Sequence, residues 1–319
     1  MQITFGRKNL ALTIFVPWDC GNQCEFCTSK ESYERKSASY NNVAFQMKKI
    51  FEEGKYPIED VVFTGGEPMA NIKALEELIA LVPEGYKVYI NTTFRRTGAE
   101  KFIDLVNGNV KIKGVNISRH GETWTKDAKG LRDIAGDDDL QNIKKSVRIN
   151  CVWMGQDLDA LLKRWEGTGV ELSIRKDYTE RMDQKALHSP YDEVPMMLIE
   201  RGFEFEGSTA CNVCHTMKFS RDGFYVRWHK GLQKTAIEVG GGLEINDLII
   251  EQDGFFTYDW GENDLSIIAE MEKQFGKTDK RYWTGPTAED VYDYLARSFQ
   301  SVSRCNSRCG GKGGCGGGC

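Results

Sequence analysis

The pattern that most constrains this chain is the alternation of short β-rich runs with amphipathic segments between about residues 10 and 178. Such alternation is typical of successive βα units, which build a parallel sheet. Several runs are almost continuously apolar, as expected for strands covered on both faces. The predicted strands are 11–17, 61–64, 87–91, 114–118, 147–153 and 171–175. Six strands are too few for a closed eight-unit barrel, so we predict an α/β fold with a partial (β/α)6 barrel.

Two amphipathic segments between these runs predict helices. Val43, Met47 and Ile50 recur at helical spacing and the pattern stops at Gly54, while a second apolar stripe covers 72–82. Each stripe would bury one face of a helix against the sheet. In parallel α/β folds the ligand site lies at the C-terminal ends of the strands, and the motifs described below fall there.

The pattern changes after residue 180. Asp222-Gly223 and Asp253-Gly254 lie between aromatic and β-branched runs, which predicts hairpins or turns. A Gly- and Cys-rich tail closes the chain and cannot form an apolar core by itself. We therefore predict a core domain at 1–180, a smaller, separate α+β extension at 181–304 and a tail at 305–319.

Composition excludes several classes of protein. The net charge of -5 gives no basic excess for an extended nucleic-acid surface, and no stretch approaches the roughly 20 apolar residues of a membrane helix. The first residues lack a signal-peptide cleavage site, so we expect a cytoplasmic protein without a membrane partner. In that reducing compartment the ten cysteines are better explained as metal ligands or catalytic thiols than as disulfides.

Three of these cysteines form one early cluster. Cys20, Cys24 and Cys27 follow the first predicted strand within eight residues. Three thiolates at that spacing can hold three irons of a 4Fe-4S cluster and leave the fourth iron open to a cofactor or substrate. The alternative is zinc, which normally needs a fourth protein ligand, and no further Cys or His lies nearby in the sequence.

The C-x3-C-x2-C spacing, with aromatic Phe26 before the third cysteine, resembles the signature of the radical S-adenosylmethionine superfamily. A second motif agrees: Thr64, Gly65, Gly66 and Glu67 in TGGEP resemble the superfamily's glycine-rich strand end. The resemblance covers about residues 10 to 178. It implies that this segment binds the methionine amino group of S-adenosylmethionine. Glycine permits close backbone approach, and Glu67 would add an acceptor near the ammonium.

Polar residues also end the later strands. Asn91, Ser118 and Asn150 occupy places where the resemblance implies contacts with the ribose or the methionine carboxylate of the cofactor. Polar residues at strand ends can equally well cap the strand ladder and face solvent, so both interpretations stay open. Asn91 precedes Thr92 and not the glycine often found there, which departs from the family pattern.

Three further polar residues lie at the predicted mouth of the barrel. Arg175 ends the sixth predicted strand and could bind an anionic substrate or pair with a neighbouring carboxylate. Arg119 and His120 could be either substrate contacts or part of a solvated turn.

The late cysteines suggest a second metal centre. Cys211 and Cys214 are weakly similar to the auxiliary-cluster segment of the molybdenum-cofactor GTP cyclase and of peptide-modifying members. Further ligands would come from the tail cysteines, which are Cys305, Cys309, Cys315 and Cys319. A second 4Fe-4S cluster, a zinc site, and a tail that is redox-active, modified or substrate-like remain alternatives.

The resemblance implies an enzyme that takes an electron from an external donor such as flavodoxin or ferredoxin. It would cleave S-adenosylmethionine to a 5'-deoxyadenosyl radical, and the radical would abstract hydrogen from a small-molecule or nucleotide-like substrate. One alternative is a maturase that modifies a peptide or protein. An alternative from another class is a non-catalytic iron-sulfur or zinc protein, which would form no 5'-deoxyadenosine.

Overall fold

The computed structural model describes residues 2–6, 10–18, 20, 22, 24, 26–27, 38–120, 133–177, 182–189, 192–232 and 234–258. The helices are α1 Tyr40–Glu53, α2 Ile72–Ala80, α3 Ala99–Gly108, α4 Leu158–Trp165, α5 Gln184–Leu187 and α6 Glu193–Glu200, with short 3-10 helices at Pro68–Asn71 and Asp137–Asn142. The strands are β1 Ile3–Phe5, β2 Leu10–Val16, β3 Ile58–Gly65, β4 Lys87–Thr92, β5 Ile112–Ser118, β6 Ser146–Trp153, β7 Glu171–Lys176, β8 Glu204–Ala210, β9 Cys214–Arg221, β10 Phe224–Gly231, β11 Ala236–Val239, β12 Gly242–Ile245, β13 Leu248–Ile250 and β14 Phe256–Thr257.

An eleven-stranded sheet organises the described residues in the order β14-β13-β2-β3-β4-β5-β6-β7-β10-β9-β8. Strands β2 to β7 pair in parallel with their neighbours, and β13 and β10 join them in parallel on the two sides. All six predicted strands are present, and the α/β class with an open, central parallel sheet is confirmed. Within the described residues, no helix is both long and apolar enough to cross a membrane.

The chain after residue 180 extends this sheet at both edges. Strands β10, β9 and β8 follow β7, while β13 and β14 lie beyond β2. The predicted hairpin at Asp222-Gly223 joins β9 to β10, and both residues have the positive φ that a tight turn needs. Strands β1, β12 and β11 form a separate three-stranded sheet. Most of the late strands are thus part of the main sheet. The domain boundaries themselves stay a prediction.

Local sequence signals fix the helix ends. Ser39 caps α1 by accepting a hydrogen bond from the Asn42 backbone N–H at 3.3 Å, and the helix ends at Gly54 in the left-handed region with φ 59°. Asp157 caps α4 in the same way through its carboxylate. These caps set where each helix starts and stops along the sheet.

The large sheet has two chemically different faces because side chains alternate along each strand. One face packs against α1 to α4 and α6 in a single hydrophobic core. We call it the apolar face; it carries Leu12, Ile14, Val61, Phe63, Val88, Ile90, Val115, Ile117, Ile149, Cys151, Leu172, Ile174, Val226 and Trp228. Strand register places the intervening residues on the opposite, polar face, which includes Thr13, Asp60, Thr64, Tyr89, Asn91, Asn116, Ser118, Arg148, Asn150, Glu171, Ser173, Arg175, Arg227 and His229.

Candidate functional site

The predicted site residues collect where β2 to β6 end. Because parallel strands all finish at the same edge of a sheet, the cysteine loop after β2 and TGGEP after β3 lie next to each other. Thr64 and Gly65 are the last residues of β3, and Gly65 has a φ of 94°, a left-handed conformation that favours glycine. The predicted approach of this glycine segment to the cofactor stays a prediction.

The buried carboxylate of Glu67 joins the ends of β3 and β4. One oxygen accepts hydrogen bonds from the Met69 backbone N–H at 3.0 Å and from the Thr92 hydroxyl. The other accepts from the Thr93 backbone N–H at 2.8 Å and from the Thr93 hydroxyl at 2.6 Å. Four donors from the protein therefore fix this side chain, which is 2% exposed. Its visible role is to align two strand ends.

Three contacts hold the cysteine loop against these strand ends. Trp18 donates its indole N–H to the Glu67 carbonyl at 2.7 Å. Asn22 donates to the Thr93 hydroxyl at 3.5 Å, and the Phe26 ring lies 4.4 Å from the His120 ring, centroid to centroid. The loop is thus attached at β3, β4 and β5. Phe26, predicted to contact the cofactor, lies against the end of β5.

The three thiols lie on this loop with unequal exposure. Cys20 and Cys24 are half-buried and Cys27 is exposed, and the Cys27 backbone N–H donates to the Cys24 carbonyl at 3.2 Å. Burial raises the pKa of the Cys20 thiol, and the negative charges of Glu67 and Cys27 add to that shift. No three His, Cys, Asp or Glu side chains among the described residues are grouped closely enough to hold a metal ion.

The donor set nevertheless suits an iron-sulfur cluster by its chemistry. All three groups are sulfur donors on one short loop, and they stand beside the glycine segment that would accompany an open iron. Their role as ligands stays a prediction.

A hydrogen-bonded row of side chains crosses the polar face below the loop. Asn91 donates to the Thr64 hydroxyl at 3.2 Å, and Asn116 donates to the Asn91 side-chain oxygen at 2.7 Å. Ser118 and Asn150 are register partners two residues further along β5 and β6 than Asn116 and its own partner Arg148. The structure therefore brings all three predicted strand-end residues onto one face. Cofactor contact by these residues stays a prediction.

Arg119 and His120 are neither solvated nor open to a substrate. Arg119 is 1% exposed and donates to the carbonyls of Thr93 and Ala135 at 2.5 and 3.1 Å, and to Asp137 at 3.2 Å. His120 accepts the Val152 backbone N–H on Nδ1 at 2.9 Å, and burial lowers its pKa to about 3. Both residues hold the loops around the strand ends in place.

The sequence argument missed Asn116, Thr92 and Thr93. Asn116 lies inside the run GVNIS, where an asparagine stands out among apolar residues. The signal that could have identified it is the register that sets it beside Asn91. Thr92 and Thr93 follow Asn91 directly, where a departure from the family pattern was noted.

Cys211, directly after β8, and Cys214, the first residue of β9, form a buried pair. Their sulfurs are 2.7 Å apart, and the Cys214 backbone N–H donates to the Cys211 sulfur at 3.1 Å. The four tail cysteines lie outside the described residues, so their predicted role as ligands stays a prediction. Cys151, predicted to be a buried small hydrophobe, is 0% exposed on the apolar face.

Residues 8–120 match the model of a family described as a 4Fe-4S single cluster domain. This segment contains the cysteine loop, TGGEP and the strand ends up to His120. No curated protein matches the chain by sequence.

The fold is similar to that of SuiB from Streptococcus suis. The structure of SuiB bound to its precursor peptide SuiA matches 92% of this chain and 67% of SuiB, with a TM-score of 0.53 and 14% identity. SuiB bound to S-adenosylmethionine gives a TM-score of 0.52 at 15% identity and again covers 92% of this chain, but 66% of SuiB. The chain thus spans about two thirds of the length of SuiB. The cysteine loop and the TGGEP strand end thus lie within the segment that matches the 4Fe-4S single cluster domain, and the fold is similar to that of SuiB, which has been crystallised with S-adenosylmethionine.

Proposed function

We propose that this chain is a radical S-adenosylmethionine enzyme whose Cys20, Cys24 and Cys27 hold the catalytic cluster. When bound, the cluster would supply the electron that cleaves S-adenosylmethionine into methionine and a 5'-deoxyadenosyl radical. The observation that carries the proposal is the attachment of the cysteine loop to three strand ends through Trp18, Asn22 and Phe26. This attachment would keep the open iron facing the polar face.

The chain's own residues would bind and orient the cofactor. Gly65 and Gly66 would leave room for the methionine group, while Glu67 keeps the ends of β3 and β4 aligned. Thr64, Asn91, Asn116, Ser118 and Asn150 present hydroxyl and amide groups on the adjacent face, and these are suitable partners for ribose and carboxylate oxygens. The half-buried position of this row would limit access of water.

The test is anaerobic reconstitution with iron and sulfide, reduction with dithionite, and chromatographic detection of 5'-deoxyadenosine. The full chain should form it with S-adenosylmethionine, and a variant with alanine at Cys20, Cys24 and Cys27 should not. Equal amounts from the two proteins would contradict the proposal. A full chain that carries a cluster but forms no product would favour the non-catalytic alternative.

A second candidate concerns the substrate. SuiB, which matches 92% of this chain, was crystallised with its precursor peptide SuiA. This observation favours a peptide substrate over a nucleotide-like one, and the Cys- and Gly-rich tail offers a candidate sequence. A chain truncated after Arg304 should then alter the mass of a synthetic peptide of residues 305–319, and the reaction should require S-adenosylmethionine. An unchanged peptide mass would argue against the tail as substrate.

As an alternative to a tail that serves as substrate, the late cysteines would hold a second metal centre. Cys211 and Cys214 offer two buried sulfurs 2.7 Å apart, and the tail would complete the ligand set. Truncation after Arg304 should lower the iron content from about eight to about four atoms per chain if the centre is a 4Fe-4S cluster. An unchanged value near four would point to zinc or thiol chemistry at this pair.

A further inference from the structure

The polar face carries a cluster of positive charge beyond the row of asparagines. Arg148 on β6, Arg175 on β7 and Arg227 on β10 occupy this face together with Glu171 on β7. Glu171 accepts hydrogen bonds from Arg148 Nε at 2.5 Å and from Arg227 Nη2 at 2.7 Å. One carboxylate is thus shared by two guanidinium groups. We call these four residues the arginine cluster.

The arginine cluster is partly shielded from solvent. The side chains of Arg148, Glu171 and Arg227 are 22%, 25% and 23% exposed. Burial lowers the pKa of Arg148; the charge of Glu171 and its hydrogen bond oppose this shift, whereas the nearby charges of Arg227 and Arg175 add to it. Three positive charges and one negative charge are therefore held close together where water screens them incompletely.

The cluster adjoins the row of polar side chains proposed to bind the cofactor, which we call the cofactor row: Thr64, Asn91, Asn116, Ser118 and Asn150. Asn116 is the register partner of Arg148, and Asn150 is the register partner of Ser173, which lies between Glu171 and Arg175 along β7. Adjacent strands are about 4.8 Å apart, so β7 lies roughly 10 Å from β5 along the sheet. A group bound at Arg175 or Arg227 would be within reach of a substrate atom held beside the cofactor.

Stability alone gives little reason for this composition. Neighbouring positions on the same strands, such as Ile149 and Leu172, are fully buried apolar residues of the core. Cationic groups in a partly buried face cost free energy unless they meet opposite charge, and here Arg148 and Arg227 share the single negative charge of Glu171. Guanidinium groups bind carboxylates and phosphates through paired hydrogen bonds, which makes them suited to an anionic ligand.

We propose that the arginine cluster binds an anionic group, a carboxylate or a phosphate, of the substrate. This inference rests on the proposed function, since it places the substrate next to the cofactor row. TGGEP, at the end of β3, is four strands from β7, so the cluster is distant from the proposed site of the cofactor's methionine amino group. Arg175 and Arg227 would orient the substrate without taking part in the radical step.

Binding of two probe anions to the reconstituted full chain tests this proposal. Pyrophosphate and glutarate are titrated calorimetrically in the presence of saturating S-adenosylmethionine, and the preferred probe distinguishes phosphate from carboxylate. Arg175→Gln and Arg227→Gln should each weaken the better probe about tenfold, as expected for loss of a charge-assisted hydrogen bond. Arg201→Gln, which removes an ion pair with the exposed Asp159, should bind the probe as the unaltered chain does.

A variant that is expected to tighten binding distinguishes a change in binding from a damaged fold. Glu171→Gln removes the negative charge of the cluster and should tighten probe binding roughly threefold, which a damaged fold would not do. Saturable binding of neither anion, unchanged affinity in both arginine variants, or weaker binding in Glu171→Gln would each overturn the inference. Displacement of S-adenosylmethionine by the probe would also overturn it, because the cluster would then belong to the cofactor site.

Formation of 5'-deoxyadenosine by the same preparation of the unaltered chain separates the two proposals. Its absence would refute the proposed function whatever the anions do. Its presence without anion binding would refute only the role of the arginine cluster.

Discussion

Alternate residues of strand β6 belong to two different environments. Ile149 and Cys151 are 0% exposed and lie in the core beneath the helices, whereas Arg148 and Asn150 are half-buried on the polar face. The backbone is the same, and only the direction of the side chain differs. The comparison teaches that the apolar face specifies the fold and that the polar face, with the loops at its edge, is available for chemistry.

The largest effect should come from one cysteine of the loop compared with one of the apolar face. Cys24→Ala removes a proposed cluster ligand and should lower 5'-deoxyadenosine formation by more than about 100-fold. Substitutions of residues that only support metal ligands typically cost about 10- to 100-fold. Cys151→Ala should keep the iron content and lose only about 1 kcal/mol of unfolding free energy. Iron analysis and product formation measure the first effect, and chemical denaturation measures the second. An unchanged iron content in Cys24→Ala would show that this loop cysteine, like Cys151, is not a cluster ligand.

Neighbouring residues of β3 should show the opposite ranking for stability. Phe63 is 0% exposed on the apolar face, and Phe63→Ala should cost about 3–5 kcal/mol of unfolding free energy. Thr64→Ala on the polar face removes only the hydroxyl that accepts from Asn91 and should cost about 1 kcal/mol. Urea denaturation of both variants measures these values. Similar costs at the two positions would show that the polar face contributes to stability as much as the core does.

Asn116 should affect the cofactor more than the fold. Asn116→Ala removes the donor that fixes the Asn91 amide at 2.7 Å, so the Kd for S-adenosylmethionine should rise about tenfold. Asn41→Ala, at an exposed position of α1, is the matched control and should change neither Kd nor the thermal midpoint. A loss of thermal stability in Asn116→Ala without a change in Kd would assign this residue to the fold.

The sequence was sufficient for the elements that local pattern determines. All six predicted strands are present because β-rich runs, caps and terminating glycines such as Gly54 act within a few residues. The sequence did not predict how the late strands pair, since β10 and β13 join the main sheet through pairings distant in sequence. Such long-range pairing leaves no signature in a short run of residues.

In the candidate site, too, the features set by local sequence were predicted, whereas those set by pairing between distant strands were not. The sequence alone identified the cysteine spacing and the TGGEP motif, and the motif also identified Glu67 as a candidate site residue. The four hydrogen bonds that hold Glu67, and the alignment of Asn116 with Asn91, depend on the register between strands. Arg119 was expected at a substrate contact or a solvated turn. It is buried because its guanidinium satisfies carbonyls of two loops that only the folded chain brings together.

The smallest predicted effect concerns His120, which lies at the boundary between the two faces. Its Nδ1 accepts the Val152 backbone N–H, and burial lowers its pKa to about 3, so the ring is neutral in the folded chain. An unfolded histidine has a pKa of about 6.5. Because the unfolded chain binds a proton at His120 more readily than the folded chain, the unfolding free energy is unaffected by this group above pH 6.5. It decreases as the pH falls from 6.5 towards 3, by up to about 1.4 kcal/mol per pH unit.

His120→Gln should reduce this acid sensitivity because glutamine does not titrate, although its carbonyl can still accept the Val152 N–H. The unfolding free energy of the reconstituted chain, measured at pH 7.5 and 5.5 with iron content held equal, should fall about 1 kcal/mol less in the variant than in the unaltered chain. Asn41→Ala, at an exposed position of α1 and without a titratable side chain, should keep the original pH dependence. An equal fall in His120→Gln would mean that His120 is already accessible to protons in the folded chain. Its contact with Phe26 would then lie on the open side of the site and not beneath it.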